Sequence, residues 1–140
     1  MNNLKYLIIA ILLIGCQADN DDYIEPVSNQ WVFVACEGNF GASNGSVSMI
    51  NELGEVKSVN DLGDVVQSVK VYKNKLFVII NNSHKIMAFD ITAEGLRLQK
   101  IEIETKDSSP RKIQIIKDKV YFKNCNSSDI KKLKLLIINL

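Results

Sequence analysis

Histidine occurs once in the 140 residues, tryptophan once, proline twice and cysteine three times. His84 stands alone, with no Cys/His pair spacing, which argues against a structural zinc site built from four such ligands. No histidine pair with metal spacing, no phosphate-cradling glycine loop and no nucleophile-elbow glycine–serine motif occurs. Charge of one sign is lacking as well. Lys and Arg total 17 against 16 Asp and Glu, and no basic block forms a nucleic-acid footprint. The apolar run from Tyr6 to Ile14 falls short of the roughly 20 residues that a membrane-spanning helix needs. These absences turn attention away from metalloenzymes, nucleotide-binding enzymes and nucleic-acid binders.

What the chain does contain is a repeat. Val69 to Asp90 reads VKVYKNKLFVIINNSHKIMAFD, and a weaker copy, IQIIKDKVYFKNCNSSDIKKLK, runs from Ile113 to Lys134, 44 residues later. Lys73, Lys75, Asn82 and Ser83 recur as Lys117, Lys119, Asn126 and Ser127. Phe33 lies the same distance before Phe77, and Asn51 matches Asp90 once a five-residue insertion is allowed in the loop from Glu37 to Gly45. A period of this length marks a repeated supersecondary unit.

Local patterns predict strands throughout. Trp31–Cys36, Ser46–Asn51 and a short edge strand at Val56–Val59 make the first unit. Val66–Tyr72, Lys75–Ile80, Lys85–Asp90 and Leu96–Ile103 make the second, with turns at Lys73-Asn74, Asn81–His84 and Thr92–Gly95. The third opens at Pro110, a residue suited to a strand's first position because its missing N–H is tolerated there. Ile113–Ile116, Val120–Asn124 and Ile130 onward continue it. Leu76–Ile80 is apolar without a break, so this strand is expected to be covered on both faces. Glu37–Gly45 holds three glycines and two asparagines, a loop composition. The fold class that results is all-β, made of four-stranded antiparallel units of the kind that form β-propeller blades.

The N-terminus adds a location. A single charge at Lys5, the apolar run and a small residue before a cut site describe a secretory signal peptide. Leu13-Ile14-Gly15-Cys16 resembles a bacterial lipobox, which implies a diacylglyceryl group on Cys16 and a lipid anchor. The acidic stretch Gln17–Asp22 resembles the surface-export signal of Bacteroidetes lipoproteins and also reads as a solvated tether. The expected domains are a signal peptide over 1–15, an acylated Cys16 and acidic tether over 16–29, and a partial propeller over 30–140 with blades near 30–62, 63–106 and 107–140. Removing residues 1–15 takes Lys5 away and leaves 16 basic against 16 acidic residues. Cys36 and Cys125 are expected to be unpaired, partly buried thiols.

Two stretches carry a family resemblance. Lys119-Val120-Tyr121-Phe122-Lys123-Asn124, after Pro110-Arg111-Lys112-Ile113, looks like a YVTN-type propeller repeat. Phe33–Gly41 with Asn44-Gly45-Ser46-Val47 is similar to the opening of YncE-like surface lipoproteins of Bacteroidetes. The resemblance spans about residues 31–130. It implies a lipid-anchored outer-membrane binding module, exposed at the cell surface or periplasmic. Some relatives capture a nutrient, a corrinoid in the best-known case, for an outer-membrane transporter. Expected partners are the membrane, through the anchor, and a transporter or small-molecule ligand; no nucleic acid, cofactor or metal is expected. Residues 30–140 hold about two and a half periods where a ring takes 4–8 blades, so a truncated or frameshifted gene fragment is expected. A lyase-like or quinoprotein-like propeller enzyme is the alternative of another class, and it would need converging acidic or histidine side chains.

Candidate ligand contacts are Glu37, Asn39, Asn44, Asn82, His84 and Asn126, at equivalent strand ends or in the loops that follow. Asn and Ser at such places also make turn hydrogen bonds, and both readings stand at this point. His84 reads as a solvated turn residue, Trp31 as the anchor of the first unit's core, and the lysines at 73–75 and 117–119 as solubilising.

Overall fold

The computed structural model describes residues 31–117, 119–126 and 128–134. The expectations for the signal peptide, Cys16, the tether and residues 135–140 lie outside the described residues. Among the described residues, ten strands form three antiparallel sheets. Sheet 1 holds β1 (Trp31–Cys36), β2 (Gly45–Asn51) and β3 (Val56–Gly63). Sheet 2 holds β4 (Val66–Tyr72), β5 (Lys75–Ile80), β6 (Lys85–Thr92) and β7 (Gly95–Glu104). Sheet 3 holds β8 (Pro110–Ile116), β9 (Lys119–Asn124) and β10 (Ile130–Lys134). Strands follow one another in sequence within each sheet. Four strands are thus present in the second sheet and three in each flanking sheet among the described residues. The first unit's last strand runs to Gly63 rather than stopping at Val59.

The 44-residue repeat is a structural repeat. β1, β5 and β9 begin at Trp31, Lys75 and Lys119, and each is six residues long. β4 and β8 match over their full length, and each carries a register shift at the equivalent place, between Val66 and Ser68 and between Pro110 and Lys112. Lys73 and Lys117 both adopt positive φ, +53° and +56°, at the equivalent turn. Val65 and Ser109, just before the first strand of each unit, do so as well, at +61° and +46°.

Alternation along β5 builds two cores. Leu76, Val78 and Ile80 point to one face and join Met87, Phe89 and Ile91 of β6 in a cluster with Trp31, Val47 and Met49 of sheet 1. Phe77 and Ile79 point to the other and join Ile86 and Ala88 in a cluster with Ile115, Val120 and Phe122 of sheet 3. All five apolar residues of β5 are completely buried. An apolar run without alternation is therefore a strand shared by two cores, as its sequence required. Trp31 lies in the first cluster, and its indole N–H donates to the Thr92 carbonyl at 3.0 Å, tying sheet 1 to sheet 2. The Tyr72 hydroxyl donates to the Lys117 carbonyl at 2.5 Å, tying sheet 2 to sheet 3.

Lys75 is not a solubilising residue. It is buried, and its Nζ lies 2.6 Å from Asp90 Oδ1 on the strand directly opposite. Arg97, opposite Asp90 on its other side, reaches Oδ2 at 3.0 Å. The lysine recurs at 119, but the place of Asp90 is taken by Lys134 in the third unit. Cys36 and Cys125 are both free; Cys36 is half-buried and Cys125 is exposed rather than partly buried.

Two substitutions test this arrangement by urea denaturation. Phe77→Ala opens a cavity between sheets 2 and 3 and is expected to lower stability by about 3–5 kcal/mol. Lys75→Met removes one arm of a buried ion pair and leaves Asp90 with its exposed Arg97 partner, so a loss of about 2–4 kcal/mol is expected.

Candidate functional site

Antiparallel order sends the long loops to one end of the sheets. The β1–β2 loop, the β3–β4 and β7–β8 connections and the β5–β6 and β9–β10 turns all gather there. The tight turns at Lys73-Asn74 and Ala93-Glu94 lie at the opposite end. Glu37, Asn39, Asn44, Asn82, His84 and Asn126 are all on the loop end. They fall into two groups, and each group is organised by a residue outside the predicted set.

Asp64 organises the first. It is buried in the β3–β4 connection. Its carboxylate accepts the Gly41 N–H at 2.9 and 3.1 Å and the Asn82 side-chain amide. Its own N–H donates to Ser83 Oγ at 2.8 Å, and its carbonyl accepts the Asn82 N–H at 3.1 Å. One residue therefore joins the β1–β2 loop of sheet 1 to the β5–β6 turn of sheet 2. The loop also closes on itself: Asn44 Oδ1 accepts the Asn39 N–H at 2.8 Å. Gly38 sits at φ +77°, where a Cβ would come within 2.8 Å of the Gly45 nitrogen and 2.9 Å of the Asn44 carbonyl carbon. Both are backbone atoms, so the loop's closure depends on glycine there. Glu37 accepts from the Gln67 amide at 3.1 Å on the surface. Phe40, at the tip of the loop, is 82% exposed.

Ser109 organises the second. Its N–H donates to His84 Nδ1 at 3.1 Å, which leaves the proton of a neutral ring on Nε2. Its hydroxyl lies 3.3 Å from the same Nδ1 and accepts from the Asn126 amide at 3.4 Å. The His84 carbonyl accepts the Thr105 N–H at 2.8 Å and the Thr105 hydroxyl at 2.6 Å. His84, at φ +52°, is thus a junction of sheets 2 and 3 rather than a free solvated turn residue. Asn81 and Ser68 complete the junction by donating to the Pro110 and Arg111 carbonyls at 2.9 and 2.8 Å.

The two groups are equivalents in the repeat. The Asn81 N–H donates to the Val65 carbonyl as the Cys125 N–H donates to the Ser109 carbonyl. The equivalence then breaks at two positions. Ser108 stands where Asp64 would, and Asn124 stands where Ile80 would. Both are buried, and among the described residues neither the Ser108 hydroxyl nor either polar atom of the Asn124 carboxamide has a hydrogen-bond partner. A buried group left unpaired costs about 1–3 kcal/mol; at the equivalent places the second unit has the hydrogen-bonded Asp64 and the apolar Ile80.

The predicted residues are engaged with protein groups: Asn39 and Asn44 with each other in one loop, and Glu37, Asn82, His84 and Asn126 with partners 17 to 30 residues away. Asp64, Ser108 and Ser109 were missed because they sit in connectors between units. Their signal was available: they occupy the same two positions of the 44-residue repeat. The arrangement offers hydrogen-bond donors and acceptors with one exposed aromatic ring. Among the described residues, no three His, Cys, Asp or Glu side chains gather where they could hold a metal ion.

Two substitutions read out these groups by chemical denaturation. Asp64→Ala leaves Asn82 and the Gly41 N–H without their acceptor, and a loss of about 1–3 kcal/mol is expected. Asn124→Ile restores the residue type of the second unit and is expected to raise stability by about 1–2 kcal/mol.

Compared with protein-family models and with curated protein sequences, the chain matches no family model and no curated sequence.

Proposed function

We propose that this protein is a lipid-anchored binding module of the bacterial cell envelope, built from β-propeller-type blades and capturing a small nutrient molecule at the outer-membrane surface. The observation that carries the reading is the placement of the long polar loops at one end of a rigid repeat. Sheets packed over two apolar cores hold that end in place, and loops held so are where binding residues commonly lie. The resemblance to YncE-like lipoproteins supplies the ligand class, a corrinoid-like molecule, and the receiving partner, an outer-membrane transporter. The lipobox-like Leu13–Cys16 supplies the anchor, on Cys16. Phe40 joins the candidate contacts, because an exposed ring at the tip of a closed loop gives an apolar surface beside the amide groups of Asn39 and Asn44.

Titrating the purified full chain with cobalamin tests the ligand. Saturable binding at micromolar concentration is expected, with Phe40→Ala weakening it by about tenfold, or about 1.4 kcal/mol, and leaving stability unchanged. No binding at that concentration removes the corrinoid reading. Cys16→Ala tests the anchor: it is expected to move the protein from the membrane fraction to the soluble one.

A further inference from the structure

The 44-residue equivalence gives each sheet a face toward the sheet before it and a face toward the next. Sheet 2 meets sheet 3 through Phe77, Ile79, Ile86 and Ala88, all buried. The equivalent positions of sheet 3 hold Tyr121, Lys123, Ile130 and Lys132. Val120 and Phe122 of β9 are buried against sheet 2, so alternation turns Lys119, Tyr121 and Lys123 the other way. Register sets Lys112 directly opposite Lys123 and Ile116 opposite Lys119. It sets Ile130 opposite Lys123 and Lys132 opposite Tyr121. Lys112, Lys123 and Lys132 are exposed. None of these ammonium groups has an ion-pair partner among the described residues. The unit's three carboxylates, Asp107, Asp118 and Asp129, fall in the connector and the turns, outside the strands.

The positive charge is concentrated in this unit rather than spread over the chain. Residues 107–140 hold eight basic and three acidic side chains, and residues 31–106 hold eight and nine. Like charges directly across a strand pair are destabilising, so setting Lys112 against Lys123 costs the sheet stability. Lys75, buried in sheet 2, has Asp90 opposite it. Lys119 lacks that carboxylate, because Lys134 stands in the place of Asp90. An apolar surface laid on this face would bury ammonium groups without counter-charge, which is costly. A covering surface must therefore bring anions. It must also accept Ile116 and Ile130, 54% and 71% exposed, among the lysines. A bilayer surface offers both, an anionic headgroup layer over hydrocarbon. Lysine heads stay with the headgroups while their stems and the apolar neighbours reach deeper. A run of acidic residues would supply the charge alone. We infer that the outer face of sheet 3 docks on an anionic lipid surface.

This docking rests on the envelope location proposed above, and the two can fail separately. The anchor on Cys16 is read in salt-washed membranes. The face is read by co-sedimentation of the purified full chain carrying Cys16→Ala with lipid vesicles. Binding to phosphatidylcholine vesicles that contain phosphatidylglycerol is expected, with none to phosphatidylcholine alone, and added salt should release it. Lys112→Gln with Lys123→Gln is expected to weaken binding about 20-fold with an unchanged circular dichroism spectrum. Ile130→Ser, which keeps the charge, is expected to weaken it severalfold. Lys73→Gln with Lys106→Gln, the same charge change away from this face, is expected to leave it unchanged. The inference is overturned by no binding to the anionic vesicles, by equal binding to neutral ones, by an equal loss from the Lys73 and Lys106 substitutions, or by Ile130→Ser without effect. Binding to polyglutamate that anionic vesicles do not compete away also overturns it, and would mean an acidic protein partner instead.

Discussion

The structure depends on the two-sided burial of β5. Its five apolar residues are completely buried, three toward sheet 1 and two toward sheet 3. A strand that alternated apolar and polar residues would support one core and leave one flanking sheet without a surface to pack on. The unbroken run Leu76–Ile80 supports both at once. β6 follows the same rule, with Met87, Phe89 and Ile91 toward sheet 1 and Ile86 and Ala88 toward sheet 3. The outer sheets can then carry more polar sequence, because each packs one face against sheet 2.

That central sheet also explains where polar groups are tolerated. Lys75 and Asp90 are buried, but at the first position of β5 and directly across from it, and Arg97 reaches Asp90 from the next strand. At the other end of the sheets, hydrogen bonds through Asp64 and Ser109 replace apolar packing in joining one unit to the next. The loop end is therefore fixed by polar contacts between neighbouring units. Its shape depends on the cores beneath it and on a few side chains, Asp64 and Ser109 among them.

Much of this was legible in the sequence. The period of 44 residues located β1, β5 and β9, and the two-faced burial followed from the absence of alternation in Leu76–Ile80. The fates of Lys75 and His84 were not legible. A lysine next to a turn usually reaches water, and only the register that sets Asp90 opposite it turns it inward. His84 stands in a turn, and the partner that engages it, Ser109, lies in a connector 25 residues away. Asn124 was misleading for the opposite reason. It reads as a turn-side asparagine at a strand end, yet it occupies the apolar position of Ile80 and is buried without a partner among the described residues. Local chemistry predicts what a side chain can do; the pairing register decides what it meets.

The same repeat frames the functional account. Loops that gather at one end are read as a binding surface. That reading requires the three sheets to behave as one stack with its most protected strands in the middle. Native-state hydrogen exchange measures that directly. The account predicts that the amides of β5 and β6 exchange most slowly, with β1 and β2 and then β8 and β9 opening at lower free energy. Slower exchange in sheet 1 or sheet 3 than in β5 would contradict it, because the chain's stability would then not rest on the strand shared by two cores.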